Sequence, residues 1–325
     1  MTKPGERIIG WLRASTTPLS GEELARRLGC SRAAVWKQIA ALRERGWAIA
    51  AHHAAGYTLA ETPDRLGPAE LAPHLGGTWR HVEWLAETDS TQRVARDLAR
   101  AGAAEGTAVF AETQTAGRGR LGRVWHSPPG ANVYVSVILR PPLAPTAVPQ
   151  LALVAGLAVA DAVRACGVPA GLKWPNDVVV GRRKLAGILT EMEAEVERVH
   201  HVIAGIGVNV NVDAFPDALA PIATSMRLEA GKPVDRVAFA GRLLVALEAR
   251  YGAFVSQGLD VMRSDWERLS CLTGREVRVA APEGEITGRA VGLDADGALR
   301  LEGPGGRQIR VVAGDVTIRD GYGGA

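Results

Sequence analysis

Residues 114–125, QTAGRGRLGRVW, exclude one large fold class at the outset. Gly117, Gly119 and Gly122 fall on the G-x-G-x-x-G spacing of a dinucleotide-binding turn, which requires a strand before it and a helix directly after it. Here Pro128-Pro129-Gly130 follows, then the strand-like run Val133-Tyr134-Val135-Ser136-Val137. No helix follows, so a doubly wound dinucleotide fold is rejected. What remains is a loop suited to covering a nucleotide or acyl-phosphate. Its glycines let the backbone wrap closely, Arg118, Arg120 and Arg123 pair with phosphate or carboxylate, and Trp125 offers a stacking face. A solvated basic loop is the plain alternative.

At 325 residues the chain is long enough for two or three domains. The net charge of +3 is too small for a nucleic-acid protein throughout, but it is unevenly spread. Residues 1–63 hold nine basic and five acidic side chains, net +4, which leaves −1 for the remainder. The basic excess therefore sits where a nucleic-acid face is sought. The segment reads as short helices. Ile8, Ile9 and Leu12 share one face of the first. Ser20 caps a second that is buried by Leu24, Ala25 and Leu28 and stopped by Gly29. Ser31 caps a third, to Arg43, with Val35, Trp36, Ile39 and Leu42 at helical spacing. Trp47–Ala50 and Gly56–Leu59 then suggest a two-stranded wing, whose tip, His52 to Ala55, lacks arginine or lysine. This pattern predicts a winged helix-turn-helix over 1–63, with Ser31, Arg32, Lys37 and Arg43 toward DNA. A three-helix interaction module is the alternative.

Thr62 to Pro68 looks like a domain junction. The middle segment, 64–271, mixes strands (107–112, 132–139, 177–180, 188–192, 201–210) with helices (90–101, 150–165, 234–256). Short turns between paired strands predict an α+β domain with a mixed sheet. In 272–325, apolar residues from Val277 to Val311 alternate with polar ones between turn signals, as in a small β-barrel. Three scattered cysteines, Cys30, Cys166 and Cys271, fit reduced thiols and a cytoplasmic protein. The seven histidines show no zinc pattern, and no metal ligand is assigned. The apolar run Leu151 to Ala160 is too short to span a bilayer, and no leader is read, so no membrane partner is expected.

Four further motifs carry chemistry. Thr88-Asp89-Ser90-Thr91-Gln92 opens a helix with hydroxyls and an amide suited to a neutral polar ligand; helix capping alone also explains them. Lys173-Trp174-Pro175-Asn176-Asp177 gathers a base, an amide and an acid around a rigid turn. Lys184 precedes the strand Leu185-Ala186-Gly187-Ile188-Leu189. Gly205-Ile206-Gly207-Val208-Asn209 is apolar, with glycines that permit close approach. Each has an ordinary structural explanation alone. Their order with the arginine loop makes the case.

Taken together, TDSTQ, QTAGRGRLGRVW, KWPND, KLAGIL and GIGVNVN resemble the bacterial biotin protein ligase family. With the winged helix in front, the chain is similar to its bifunctional ligase–repressor branch. The resemblance implies a class II synthetase-like catalytic domain followed by an SH3-like barrel. It also implies biotinylation in two steps, using ATP, Mg²⁺ and biotin. Biotin's carboxylate attacks the α-phosphate, and a lysine of biotin carboxyl carrier protein then displaces AMP from biotinyl-5′-AMP. The residues implied for biotin are Ser90, Thr91, Gln92, Gln114, Arg118, Gly119, Arg120 and Lys184. Those implied for the nucleotide are Arg120, Arg123, Trp125 (near the adenine), Lys173, Asn176, Asn209 and Arg319. Lys184 with Arg118 or Arg120 would offset repulsion between carboxylate and phosphate, and Asp177 would orient or deprotonate the acceptor lysine. Gln92 departs from the family, which often has Asn there. The branch further implies operator DNA as a partner and a homodimer when the adenylate is bound. The alternatives are a repressor that does not ligate, a lipoate ligase, and a ligase whose winged helix no longer binds DNA.

Overall fold

Two serines start the helices of the N-terminal unit. Ser20 Oγ accepts from Glu23 N at 3.1 Å and Ser31 Oγ from Ala34 N at 3.2 Å, so each satisfies an otherwise orphaned helix donor. The computed structural model describes residues 4–53, 55–77, 79, 81–282 and 284–318. Ala54 of the wing tip, Glu283 of an expected turn, and Arg319 lie outside the described residues. Helices α1 (Pro4–Ala14), α2 (Gly21–Leu28) and α3 (Arg32–Glu44) pack around Ile8, Ile9, Leu24, Val35 and Ile39. Gly29, at φ 71°, ends α2 in the left-handed conformation that favours glycine. Strands β1 (Ala48–His52) and β2 (Gly56–Glu61) pair antiparallel as the wing.

Two details depart from the sequence reading. Trp36 is not in the core but 62% exposed on α3, because it lies about 100° around the helix from Val35. Arg43 turns back on the wing, with Nε and Nη2 donating to Ile49 O at 2.9 and 2.7 Å. Ser31, Arg32 and Lys37 are exposed. The unit continues through α4 (Pro68–Leu71) to Pro73, and buried Glu70 pairs with Arg65.

The second unit, His74–Ala325, is built on a seven-stranded mixed sheet. In chain order it contains β3 (Val82–Leu85), α5 (Thr91–Arg100), β4 (Ala108–Ala111), β5 (Val133–Leu139), α6 (Gln150–Arg164), β6 (Gly171–Lys173) and β7 (Asp177–Val180). There follow β8 (Arg183–Ala194), β9 (Val199–Val208), α7 (Met226–Ala230), α8 (Arg236–Gln257) and α9 (Asp260–Leu269). The strand order is β3-β4-β5-β9-β8-β7-β6; β3 and β4 are parallel and the other neighbours antiparallel. The sequence reading missed the short edge strands β3 and β6, and also α7 and α9. It found the core of β8 but not its full length. α5 packs on β4, β5 and β9 through Ala95 and Ala99 against Val109, Ile138 and Ile203. α6 is buried along its length, packing on β6–β9 and α8. Among the described residues, Pro145–Arg164 has the length and hydropathy to cross a bilayer, but its most apolar window is 72% buried inside the unit.

The chain closes in an antiparallel sheet of β10 (Glu276–Ala281), β11 (Gly284–Leu293), β12 (Leu299–Glu302), β13 (Gln308–Val311) and β14 (Asp315–Ile318). Its order is β13-β12-β11-β10-β14, so the last strand returns beside the first. Val277, Val279, Leu293, Leu299, Leu301 and Val311 bury one face, as the alternation predicted, and Val316 joins them; Val291 and Ile309 are only half-buried, Val291 at a register shift in β11.

Candidate active site

The catalytic-domain motifs meet on one face of the large sheet. Alternation along β9 puts Ile203, Gly205 and Gly207 on the α5 side, and register pairs Gly207 with Gly187 of β8. These glycines are required by what lies on them. A Cβ at 205 would meet Gln92 Oε1 at 2.2 Å, and one at 207 would meet the Trp125 indole at 2.6 Å. A Cβ at 187 would stand 3.1 Å from both Trp125 and Lys184 Nζ. The floor is therefore backbone covered by side chains from distant segments.

Around it is a cavity of about 520 Å³, within the range usual for small-molecule sites. Every residue expected at the ligand in the middle segment lines it: Ser90, Thr91, Gln92, Gln114, Arg118, Gly119, Arg120, Arg123, Trp125, Lys173, Asn176, Asp177, Lys184 and Asn209.

One end of the cavity is neutral and polar. Asp89 accepts from Arg93 Nε at 2.5 Å and from Ser90 N at 2.6 Å; Arg93, more than the backbone bond, holds its carboxyl at about 2. Ser90 thus begins α5 without using its own side chain as a cap, and it is buried against the cavity. Gln114 Oε1 accepts from Thr91 N at 2.9 Å and Thr91 Oγ1 at 3.2 Å. Thr91 Oγ1 and Ser136 Oγ are 2.9 Å apart. Gln92 spends its amide on the fold: Nε2 donates to Leu189 O and Ile203 O at 3.1 and 3.3 Å, and Oε1 accepts from Ser136 at 3.0 Å. Asn209 is likewise engaged, accepting from Asn132 at 3.3 Å and donating to Thr224 O at 3.1 Å. Burial pushes the Tyr134 hydroxyl up, so it stays protonated and donates to Pro128 O at 3.0 Å.

The other end is cationic. Six lysine or arginine side chains line the cavity against two carboxylates, Asp177 and Asp315, which makes it an anion site. Lys184 Nζ lies 2.6 Å from Asp177 Oδ1, an ion pair outside hydrogen-bond geometry, and 5.5 Å above the Trp125 ring. The Trp125 Nε1–H is buried with no acceptor among the described residues. Arg120 Nη1 donates to Asn176 Oδ1 at 3.1 Å, and Asn176 is anchored by Nδ2 on Ile188 O at 2.8 Å. The loop is a closed hairpin, with Gly119 N to Arg123 O at 2.7 Å and Trp125 N to Gly117 O at 2.9 Å.

Comparison with known proteins agrees with this geometry. Residues 84–209 match the biotin/lipoate A/B protein ligase family, 272–319 the biotin protein ligase C-terminal domain, and 6–58 an HTH domain. The Bacillus spizizenii bifunctional ligase/repressor BirA is 40% identical over 295 residues, covering 89% of this chain and 91% of that protein. The chain belongs to the bifunctional biotin ligase/repressor family. The Escherichia coli BirA is 36% identical over 88% of both chains. The Aquifex aeolicus biotin protein ligase in complex with biotin and ATP has a TM-score of 0.65 and 32% identity, covering 74% of this chain and 99% of that one. As a biotin ligase/repressor, the chain carries the three-part architecture expected of it: an N-terminal helix-turn-helix, a mixed-sheet ligase domain and a C-terminal antiparallel β domain.

The sequence reading missed several cavity residues. Ser136 left a signal, as the polar break in the apolar run of β5. Tyr134 followed from the same alternation. Asp315 and Thr317 left none, because the C-terminal sheet reaches the cavity only through the tertiary fold. Phe215, Leu219, Ile222 and Ala223 come from the segment whose backbone pairs with Lys184, Lys184 N donating to Ile222 O at 2.7 Å.

Proposed function

We propose that this chain is an ATP-dependent biotin ligase that forms biotinyl-5′-AMP and transfers biotin to a lysine of biotin carboxyl carrier protein. It also represses biotin-synthesis genes. The observation that carries the ligase reading is the two-ended cavity, neutral and hydrogen-bonding at Ser90, Thr91 and Gln114, cationic at Lys184 and the arginine loop. Biotin has the same polarity, with a neutral ureido ring at one end and a carboxylate at the other.

In the first step a carboxylate oxygen bonds to the α-phosphorus and pyrophosphate departs. Lys184, held by Asp177 over Trp125, offsets the charge of the two approaching anions, with Arg118 and Arg120 beside it. The orphaned Trp125 N–H is a donor for the ligand. In the second step the carrier amine attacks the acyl carbon, AMP leaves, and the amine's proton is lost. Asp177 orients that amine, and closure of the loop keeps water from the anhydride. Asn176 and Arg123 serve the nucleotide, with Lys173 nearby. The cavity's two carboxylates are both engaged with basic groups, so the chain offers magnesium no ready oxygen cage. Mg²⁺ would accordingly arrive with the nucleotide and offset phosphate charge there, with no ligand assigned on this chain.

We further propose that residues 1–63 read the operator through Arg32 and Lys37 as a homodimer formed when the adenylate is bound. Residues 64–271 carry the chemistry, with 272–325 as the small β domain beside them. Two half-sites give the affinity that one short helix lacks. Incubation with biotin, ATP, Mg²⁺ and carrier domain tests the enzyme. One biotin added by mass is expected, and none would refute the assignment. Gel shifts on the biotin-synthesis promoter, with and without biotin and ATP, test the repressor.

A further inference from the structure

The neutral end of the cavity rests on a row of three strands. Register sets Ser136 of β5 opposite Gly205 of β9, and Gly205 opposite Leu189 of β8. The Gln92 carboxamide, from the first turn of α5, lies over Gly205 and reaches both neighbours. Its orientation is fixed. Nε2 donates to two backbone carbonyls, Leu189 O at 3.1 Å and Ile203 O at 3.3 Å, so Oε1 is the atom 3.0 Å from Ser136 Oγ. A carboxamide oxygen only accepts, so Ser136 gives its single hydrogen to Gln92. Both side chains are buried, and an unpaired Oε1 there would carry its full desolvation cost. Ser136 Oγ therefore meets Thr91 Oγ1, 2.9 Å away, as an acceptor. The Thr91 hydrogen has one competing acceptor, Gln114 Oε1 at 3.2 Å, which already accepts from Thr91 N at 2.9 Å. Ser136 is the nearer. By taking that hydrogen it leaves lone pairs free on both Thr91 Oγ1 and Gln114 Oε1, and both residues line the cavity.

We propose that Ser136, oriented by Gln92, is a positioning residue for biotin: it draws the Thr91 hydrogen inward, so that Thr91 Oγ1 and Gln114 Oε1 meet the ligand as acceptors of ring N–H. The proposal rests on the ligase reading above. The relay runs from the carbonyls of Leu189 and Ile203 through Gln92 and Ser136 to Thr91, with every hydrogen pointing away from the ligand. A cyclic urea supplies the N–H donors that such a surface lacks. A ring without N–H would bury the same oxygens unpaired, so the relay selects for the ureido ring. It also gives Gln92 a part in binding that needs no contact with the ligand. A serine that merely filled β5 would act on the fold, whatever stood at position 91.

A double-mutant cycle on the full chain tests the proposal, with biotin binding read by calorimetry and KM and kcat read from transfer to the carrier domain. Ser136→Ala is expected to weaken biotin binding about three- to tenfold, the worth of one hydrogen bond. The loss falls on KM for biotin, with kcat changing by less than about twofold, because the reacting carboxylate is assigned to the Lys184 end. In a Thr91→Val background there is no hydroxyl to orient, and Ser136→Ala is expected to change biotin affinity by less than about twofold. Gln92→Met releases the relay from its other end and is expected to repeat both results, which decides the matter if Ser136→Ala fails to fold. Unchanged binding, an equal loss with and without the Thr91 hydroxyl, or a loss that falls on kcat overturns the proposal. A wild type that takes up no biotin refutes the ligase reading itself. A wild type that binds and transfers biotin, with an additive cycle, refutes the relay alone.

Discussion

Replacing Gly207 by alanine tests whether the cavity floor is shaped by what lies on it. The added Cβ would meet Trp125 Cε2, Nε1 and Cζ2 at 2.6, 2.7 and 3.0 Å, distances at which something must move. Gly207 lies in β9 outside the positive-φ glycines, so alanine fits its backbone and the cost comes from the indole alone. Overpacking of this kind costs about 1–3 kcal/mol. For a unit of this size that lowers the melting temperature by about 2–12 °C, at about 2–4 °C per kcal/mol. Displacing the ring also removes the support beneath the Lys184 ammonium, about 0.5–1 kcal/mol, so biotin binding weakens as well. In a Trp125→Ala background the clash has no partner, and Gly207→Ala should stabilise by about 0.4–1 kcal/mol through the unfolded chain. The double-mutant cycle thus carries a coupling of about 1.5–4 kcal/mol, read from urea denaturation of the four proteins. Equal destabilisation by Gly207→Ala with and without Trp125 would refute the reasoning.

Arg236, 1% exposed, donates to Glu112 Oε2 and Asn132 O, both at 3.0 Å. Arg236→Met should therefore cost about 3–5 kcal/mol in denaturation experiments, because it strips a buried ion pair of one partner. Burial pushes His201, 4% exposed, below the ordinary imidazole value, with Glu193 opposing more weakly. The neutral ring is thus favoured in the fold, so its contribution is full above about pH 6.5 and is lost as pH falls through the depressed value. His201→Gln should flatten stability below about pH 6.5, and an NMR titration midpoint above that value contradicts this. Lys184→Ala should damage adenylation far more than transfer from supplied adenylate, and equal losses in single-turnover assays would remove its assigned role. Arg32→Ala and Lys37→Ala should each lower the salt-dependence slope of operator binding by about 0.9 if each neutralises one phosphate; an unchanged slope places them off the DNA.

The sequence alone determined the local features. Ser20, Gly29 and Ser31 punctuate the helices of the first unit because a cap or a left-handed turn depends only on near neighbours. Alternation in 277–311 predicted the C-terminal sheet for the same reason, since side chains along a strand change face at every residue. The five ordered motifs were sufficient to identify the family, and residues from each of them line one cavity. The tertiary structure decided how those residues are used. Gln92 and Asn209 looked like ligand contacts, yet both spend their amides on partners of the fold, through pairings that span up to 111 residues. Trp36 kept helical spacing but fell outside the core, whose width is set by how three helices meet. α9 carried Met262, Trp266 and Leu269 at helical spacing and still escaped the sequence reading. Asp315 gave no signal, since its partners, Arg120 and Arg123, lie almost two hundred residues away. Short-range preferences are written in neighbouring side chains, whereas the charge at the cationic end of the cavity depends on which strands the fold brings together.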